Sequence, residues 1–353
     1  MHETDLHLEP NEASDLCRLF GPDELARRGW ERAFVTVLDE ATAENAIAVL
    51  AHAAGAAMDE GWTAVRVPAD AGVHNGKTED AEACAARGGY VYLVGSQFGK
   101  KRGPLAAKRS WIARVRESAI ARALDDGTSA ELDVVRLRFT LHRAINDALA
   151  GTDLLPLGPL GRQVYVDATI AAGEQKAKSW SGTVLPTDHP INIEAAEFTA
   201  EGTLLLGIRY PVTATGHPIL VELANVDDLF TDPNAVPRCT RVWTLTDIGT
   251  PAAPAGFRAL DTRDGVHFDA IIGDLDAAGK SATVLADHPE GALADSEHIA
   301  FTLTPTPAPL DTKSIHHFGD IRRVEGLAVD AQGHTHYVLD EEGHVALRTL
   351  VYE

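Results

Sequence analysis

The chain has 353 residues, with 31 Lys and Arg against 52 Asp and Glu and a net charge of −21. An apolar content of 45% marks a globular chain, and the acidic balance argues against nucleic acid or an anionic membrane as a partner, because both require a cationic footprint. No window approaches the roughly 18 unbroken apolar residues of a membrane span.

The charged start MHETDLHLEP has no apolar segment of the kind a secretory signal needs. Cys17, Cys84 and Cys239 are scattered and odd in number. They form no metal-ligand spacing or disulfide framework, and a reducing, cytoplasmic setting fits them.

Five stretches share one pattern: a short apolar segment, a Gly-containing turn and a second apolar segment. In chain order they lie at 23–40 (DELARRGWERAFVTVLDE, the weakest copy), 81–96 (AEACAARGGYVYLVGS), 191–211 (INIEAAEFTAEGTLLLGIRYP), 257–273 (FRALDTRDGVHFDAIIG) and 324–340 (VEGLAVDAQGHTHYVLD). Each reads as a β-hairpin with a tight turn. A charged marker opens each copy: Glu24, Glu82, Glu194, Arg258 and Glu325, at spacings of 58, 112, 64 and 67.

The 112-residue gap is close to two repeats, which places a hidden copy near residue 138. A period of about 60 with two hairpins per unit predicts propeller blades. The expectation is an all-β, six-bladed propeller over 1–353, with seven blades the rival. The C-terminal strands 335–352 would close the ring near the N-terminal blade. Residues 131–151 carry apolar residues at helical spacing (Leu132, Val135, Phe139, Leu141, Ile145), so a short helical insertion is expected near 128–150, with a misread strand as the alternative.

Hairpin arithmetic sets Glu194 across from Arg209 around Glu201-Gly202, Glu325 across from Asp340, Glu24 across from Asp39, and Glu82 across from Gly95 or Ser96. Ring closure then gathers Glu24, Asp39, Glu325 and Asp340 at one seam. Four carboxylates in a small volume require raised pKa values or a bound cation, and hard oxygen donors select calcium or magnesium. The ligand-binding candidates are Ser96, Glu194, Arg209, Arg258 and the basic loop residues Lys100, Lys101 and Arg102. Glu82, His316 and His317 are the candidate catalytic bases. The competing reading makes the markers structural: Glu194 and Arg209 form a plain salt bridge, and inner-strand carboxylates accept backbone N–H bonds from the next blade.

These same segments resemble a bacterial family known as domain of unknown function 3616, grouped with β-propellers. The 191–211 segment resembles its N-I-E-G-L-A … G-x-L-L-L-G-L-R-x-P stretch, and 81–99 its D-x-E … L-Y-x-x-G-S-H stretch. GFRAL (256–260) and RRVEGLAVD (322–330) resemble its G-x-R and x-x-E-G-L-A segments. The likeness spans about residues 75–345. Gln97 stands where the pattern has His, and Ala83 and Ala195 stand where it has Gly. A more distant likeness is to the esterase-like phytase propellers. The resemblance implies the fold and assigns no activity.

No G-x-S-x-G elbow, P-loop, dinucleotide fingerprint or H-E-x-x-H is present, and no organic cofactor is expected. Two functions remain. One is a metal-assisted hydrolase of a small phosphoester, ester or lactone at the channel mouth. The other is a non-catalytic propeller that binds a small ligand or a protein there. Oligomeric state is not readable from these features.

Overall fold

Apolar segments separated by Gly-containing turns build five mainly antiparallel sheets, two of which carry a short parallel strand at the outer edge, in a computed structural model that describes residues 2–8, 12–100, 102–276, 282–341 and 344–351. The side chains of residues 340, 341 and 344 lie outside the description. The inner strands are Ala13–Arg18, Ala81–Arg87, Asn192–Phe198, Gly256–Thr262 and Val324–Val329. Each packs against the inner strands of the blades before and after it, and the fifth packs against the first. The protein is a β-propeller of five blades.

Closure is by exchange of the chain ends. His2–Leu6 runs antiparallel to His344–Leu350 and forms the outer strand of the fifth blade. That blade thus contains both ends of the described chain.

The expectation of six blades fails at two places. The 112-residue gap holds one blade plus an insertion. Residues 130–136, assigned to the helix by their spacing, form the outer strand Ala130–Arg136 of the second blade, and the helix begins only at Thr140 (Thr140–Ala148). Segments between 137 and 190 then fold over the sheets: Phe139, Tyr165, Val166 and Val184 pack with Phe98, Tyr210, Val212 and Leu275. The weak copy at 23–40 is the second fault. Pro22–Arg28 is a helix, with Pro at its first turn, Asp23 and Glu24 at its N-terminal end, Arg27 and Arg28 at its C-terminal end, and Gly29 beyond at φ 69°. Those are helix start and stop signals, and they outweigh the hairpin pattern.

All five inner strands carry a β-bulge at the same place. The unpaired residue is Ser14, Glu82, Glu194, Arg258 or Glu325 in turn. A bulge re-aims a side chain out of the pleat, and all five side chains line one cavity at the channel mouth. Four are the sequence markers; the fifth is Ser14 in place of Glu24.

Deeper carboxylates join the blades. Asp15 accepts the backbone N–H of Cys84 at 2.8 Å, from first blade to second. Asp261 accepts that of Val329 at 3.0 Å, from fourth to fifth. Arg32 bonds Asp330 at 2.6 Å, from first to fifth. The stitching role foreseen for inner-strand carboxylates is filled by residues beside the markers. Among the described residues no helix is long and apolar enough to cross a membrane.

Candidate functional site

The mouth cavity has a volume of about 810 Å³. Among the described residues, Ala13 and Phe98 are the only apolar side chains in its wall, against ten carboxylates and six cationic groups. Such a wall suits a hydrophilic ligand, and its negative excess favours a bound cation on the acidic side.

Blades one and two supply the acidic side. Asp39 follows the strand Trp30–Leu38, Asp80 precedes Ala81–Arg87, and Glu82 is the second blade's bulged residue. One oxygen from each lies within 4.8 Å of the other two. Asp80 accepts hydrogen bonds from the Ser96 hydroxyl and, at 2.6 Å, from Arg109 Nη1. Ser14 Oγ donates to Glu82 Oε2 at 2.8 Å.

Burial raises the pKa of all three. The Asp80 carboxyl is pushed up to about 6 by burial first, with Glu194 and Glu40 adding to the rise and Arg109 and Ser96 opposing it. Glu82 is raised well above the carboxylate range by burial first, then by Glu194, Asp39 and Asp80. Asp39 is raised by burial, then by Asp80 and Glu194. Burial and the neighbouring carboxylates thus favour the protonated forms, and a divalent ion would compete with those protons.

The backbone is also unusual here. Glu40, Asp80 and Gln97 have φ of 53°, 65° and 64°, a region that non-glycine residues rarely enter and that clusters at functional sites. Glu40 adjoins Asp39, and Gln97 follows the Ser96 that holds Asp80.

Blades three to five supply the basic side. Arg209 Nη1 lies 3.1 Å from Glu194 and its Nη2 3.2 Å from Asp274. Burial opposes the Arg209 charge, but Glu194, Glu325, Asp274 and Asp276 outweigh it and hold the pKa up. Arg258 Nη2 meets Glu325 Oε1 at 2.5 Å. Both arginines were foreseen as ligand contacts, and so was the Glu194–Arg209 pair. Lys100 lines the mouth as well, while Arg102 lies outside its wall. Lys101 lies outside the described residues.

The foreseen metal set does not assemble. Glu24 sits on the helix Pro22–Arg28, bonded to Arg27 and Arg28 at 2.6–2.8 Å, and is absent from the cavity wall. Glu325 reaches the mouth but is ion-paired with Arg258. The Asp340 side chain lies outside the description. Of the three whose side chains are described, only Asp39 joins the carboxylate cluster, and its companions come from the second blade. His316 and His317 are on Thr312–His317, the outer strand of the fourth blade, away from the cavity. The Cys84 thiol is buried and pushed well up by burial, as an inert thiol would be.

Asp80 and Ser14 were missed. A usable signal existed for Asp80, which lies two residues before the marker Glu82, whereas Ser14 lies ten residues from the marker assigned to its blade, Glu24, and carries no charge to announce it.

The fold and site together define a five-bladed propeller with a charged, hydrophilic mouth. No family model and no curated protein matches the chain. Among solved structures it is similar to the GH43 endo-arabinanase from Bacillus licheniformis, with a TM-score of 0.41 and 9% identity over 98% of this chain and 95% of that one. It is also similar to a mannose phosphorylase from Leishmania mexicana, with a TM-score of 0.43 and 10% identity over 100% and 88%. For the WD40 propeller domain of Doa1 the TM-score is 0.34, with 8% identity over 99% and 96%. The chemistry is therefore read from the residues of the mouth.

Proposed function

We propose that the protein is a metal-assisted hydrolase acting at the channel mouth on a small hydrophilic phosphoester, ester or lactone. The observation that carries this is the approach of Asp39, Asp80 and Glu82 to within 4.8 Å of one another in a wall with almost no apolar side chains. Those carboxylates would hold calcium or magnesium, a cation that polarises the substrate oxygen and lowers the pKa of a bound water. Arg209 and Arg258 face the substrate from the other side. Glu82, whose pKa burial raises, would serve as the base.

Titration of calcium and of magnesium into the chelator-treated full chain tests the reading, followed by turnover assays on chromogenic phosphate esters, acetate esters and lactones. The expected result is saturable cation binding that Glu82→Gln abolishes, with turnover dependent on the cation. Absence of cation binding in the folded wild type would sink it.

The alternative, a non-catalytic scaffold binding a small ligand or protein at the same mouth, is favoured by the Glu194–Arg209 and Arg258–Glu325 pairs, which can be ring staples. Cation binding with no turnover on any of the three substrate classes would favour it.

A further inference from the structure

Arg258 is 2% exposed and lines the mouth cavity. Its Nη2 is committed to Glu325 at 2.5 Å, but its Nε and Nη1 are buried with no hydrogen-bond partner among the described residues. Nε of Arg109, in the same wall, is in the same state. Buried donors without acceptors are costly, and native structures contain few that lack a reason. Two exposed cations also line the cavity, Arg323, two residues before Glu325, and Lys100; neither has an ion pair among the described residues.

We infer that Arg258 and Arg323 form a subsite for a tetrahedral oxyanion, and that the substrate is a phosphate ester whose phosphoryl group binds there. Carboxylic esters and lactones are neutral and bring only weak acceptors. A phosphoryl group brings charged oxygens in several directions, which suits donors that point along different edges of one guanidinium plane and from a second side chain. The opposed carboxylates match it too, because a divalent ion held by Asp39, Asp80 and Glu82 can share a phosphoryl oxygen. In the reaction a water oxygen bonds to phosphorus, the ester P–O bond breaks, and the leaving oxygen takes the electron pair and a proton. One water is consumed, and no oxidant or reductant is needed.

The inference rests on the hydrolase reading for its chemistry, but its test does not depend on turnover. Inorganic phosphate is titrated into the full chain by calorimetry, once in EDTA and once in saturating magnesium, with acetate as the planar control. Phosphate should bind in at least one buffer, and Arg323→Ala should weaken it by about tenfold, the size of one lost charged contact. Arg258→Gln should weaken it further. If that variant does not fold, Arg323→Ala and the double variant with Lys100→Ala carry the test. Phosphate that fails to bind in either buffer, binds all folded variants as it binds the wild type, or binds no better than acetate overturns the subsite. Magnesium titration without phosphate reports separately on the carboxylate cluster: loss of magnesium binding with phosphate binding intact sinks the cation reading alone.

Discussion

Raising the pH from 4 to 7 in the presence of a chelator should destabilise this protein. A carboxyl whose folded pKa is raised contributes stability that is fully present below its unfolded pKa and lost as pH rises through the folded value. Asp80 rises from 3.8 to about 6, and Asp261, buried deeper in the ring, does the same. Each rise corresponds to about 3 kcal/mol. Asp15, Asp39, Glu82 and Glu197 act in the same sense. Asp188, Glu222 and Asp330, held below the usual range by His142, by Arg241 and by His336 against their burial, act in the opposite sense, but below about pH 4. His74, His189, His316 and His336, whose pKa values burial lowers, also act in the opposite sense, up to their unfolded value of about 6.5. The trend from about pH 4 to 6 is therefore the raised carboxyls' loss less the histidines' gain, and a net loss of a few kcal/mol is large against a typical domain stability of about 5–15 kcal/mol.

The assay is urea unfolding at half-unit pH steps in EDTA, repeated with Asp80→Asn and with added magnesium. Asp80→Asn should remove about 3 kcal/mol of the loss. Magnesium at about one hundred times its dissociation constant should restore about 2.7 kcal/mol near pH 7. An Asp80→Asn slope equal to the wild-type slope in EDTA would refute the crowding of these carboxylates, because that substitution leaves the opposing histidines in place.

Asp15→Ala strips the acceptor from the Cys84 N–H at the seam of the first and second blades and should cost about 1–3 kcal/mol in urea unfolding. Gly326→Ala should cost a similar amount, about 1–3 kcal/mol: a Cβ there would lie 2.9 Å from the Asp15 backbone and 2.5 Å from Val338 Cγ2, measurable as a lowered melting temperature. Glu24→Gln, on the outer helix, should leave magnesium titration curves unchanged, whereas Asp39→Asn should weaken binding at least tenfold. Deleting His2–Leu6 removes the strand that closes the fifth blade, and hydrogen exchange at Val345 and Leu347 should rise toward that of an edge strand.

The propeller was legible because its signal is repeated. Glu82, Glu194, Arg258 and Glu325 recur at matching places in four hairpins, and the bulge that displays them uses that same place each time. The blade count was not legible, because spacing cannot separate a blade from an insertion of similar length. In ELDVVRLRFTLHRAINDALAG the strand Ala130–Arg136 and the helix Thr140–Ala148 meet across Arg138 and Phe139, both at positive φ. That break leaves the apolar spacing unbroken. Ser14 escaped notice for a different reason: a marker rule written for charge passes over the one ring position that carries none.

That neutral position decides where the chemistry falls. Of the ring carboxylates, Glu194 is neutralised by Arg209 and Glu325 by Arg258. Glu82 has only the Ser14 hydroxyl and, among the described residues, no ion-pair partner. A basic residue at position 14 would have completed a third pair across the first seam. With serine there, the negative charge of Glu82, joined by Asp39 and Asp80, is left to be met by protons or by a cation from solution. A Ser14→Lys variant makes this argument concrete: it should supply the missing partner, lower the Glu82 pKa, flatten the pH dependence between about 4 and 6 and abolish magnesium binding while the ring still folds.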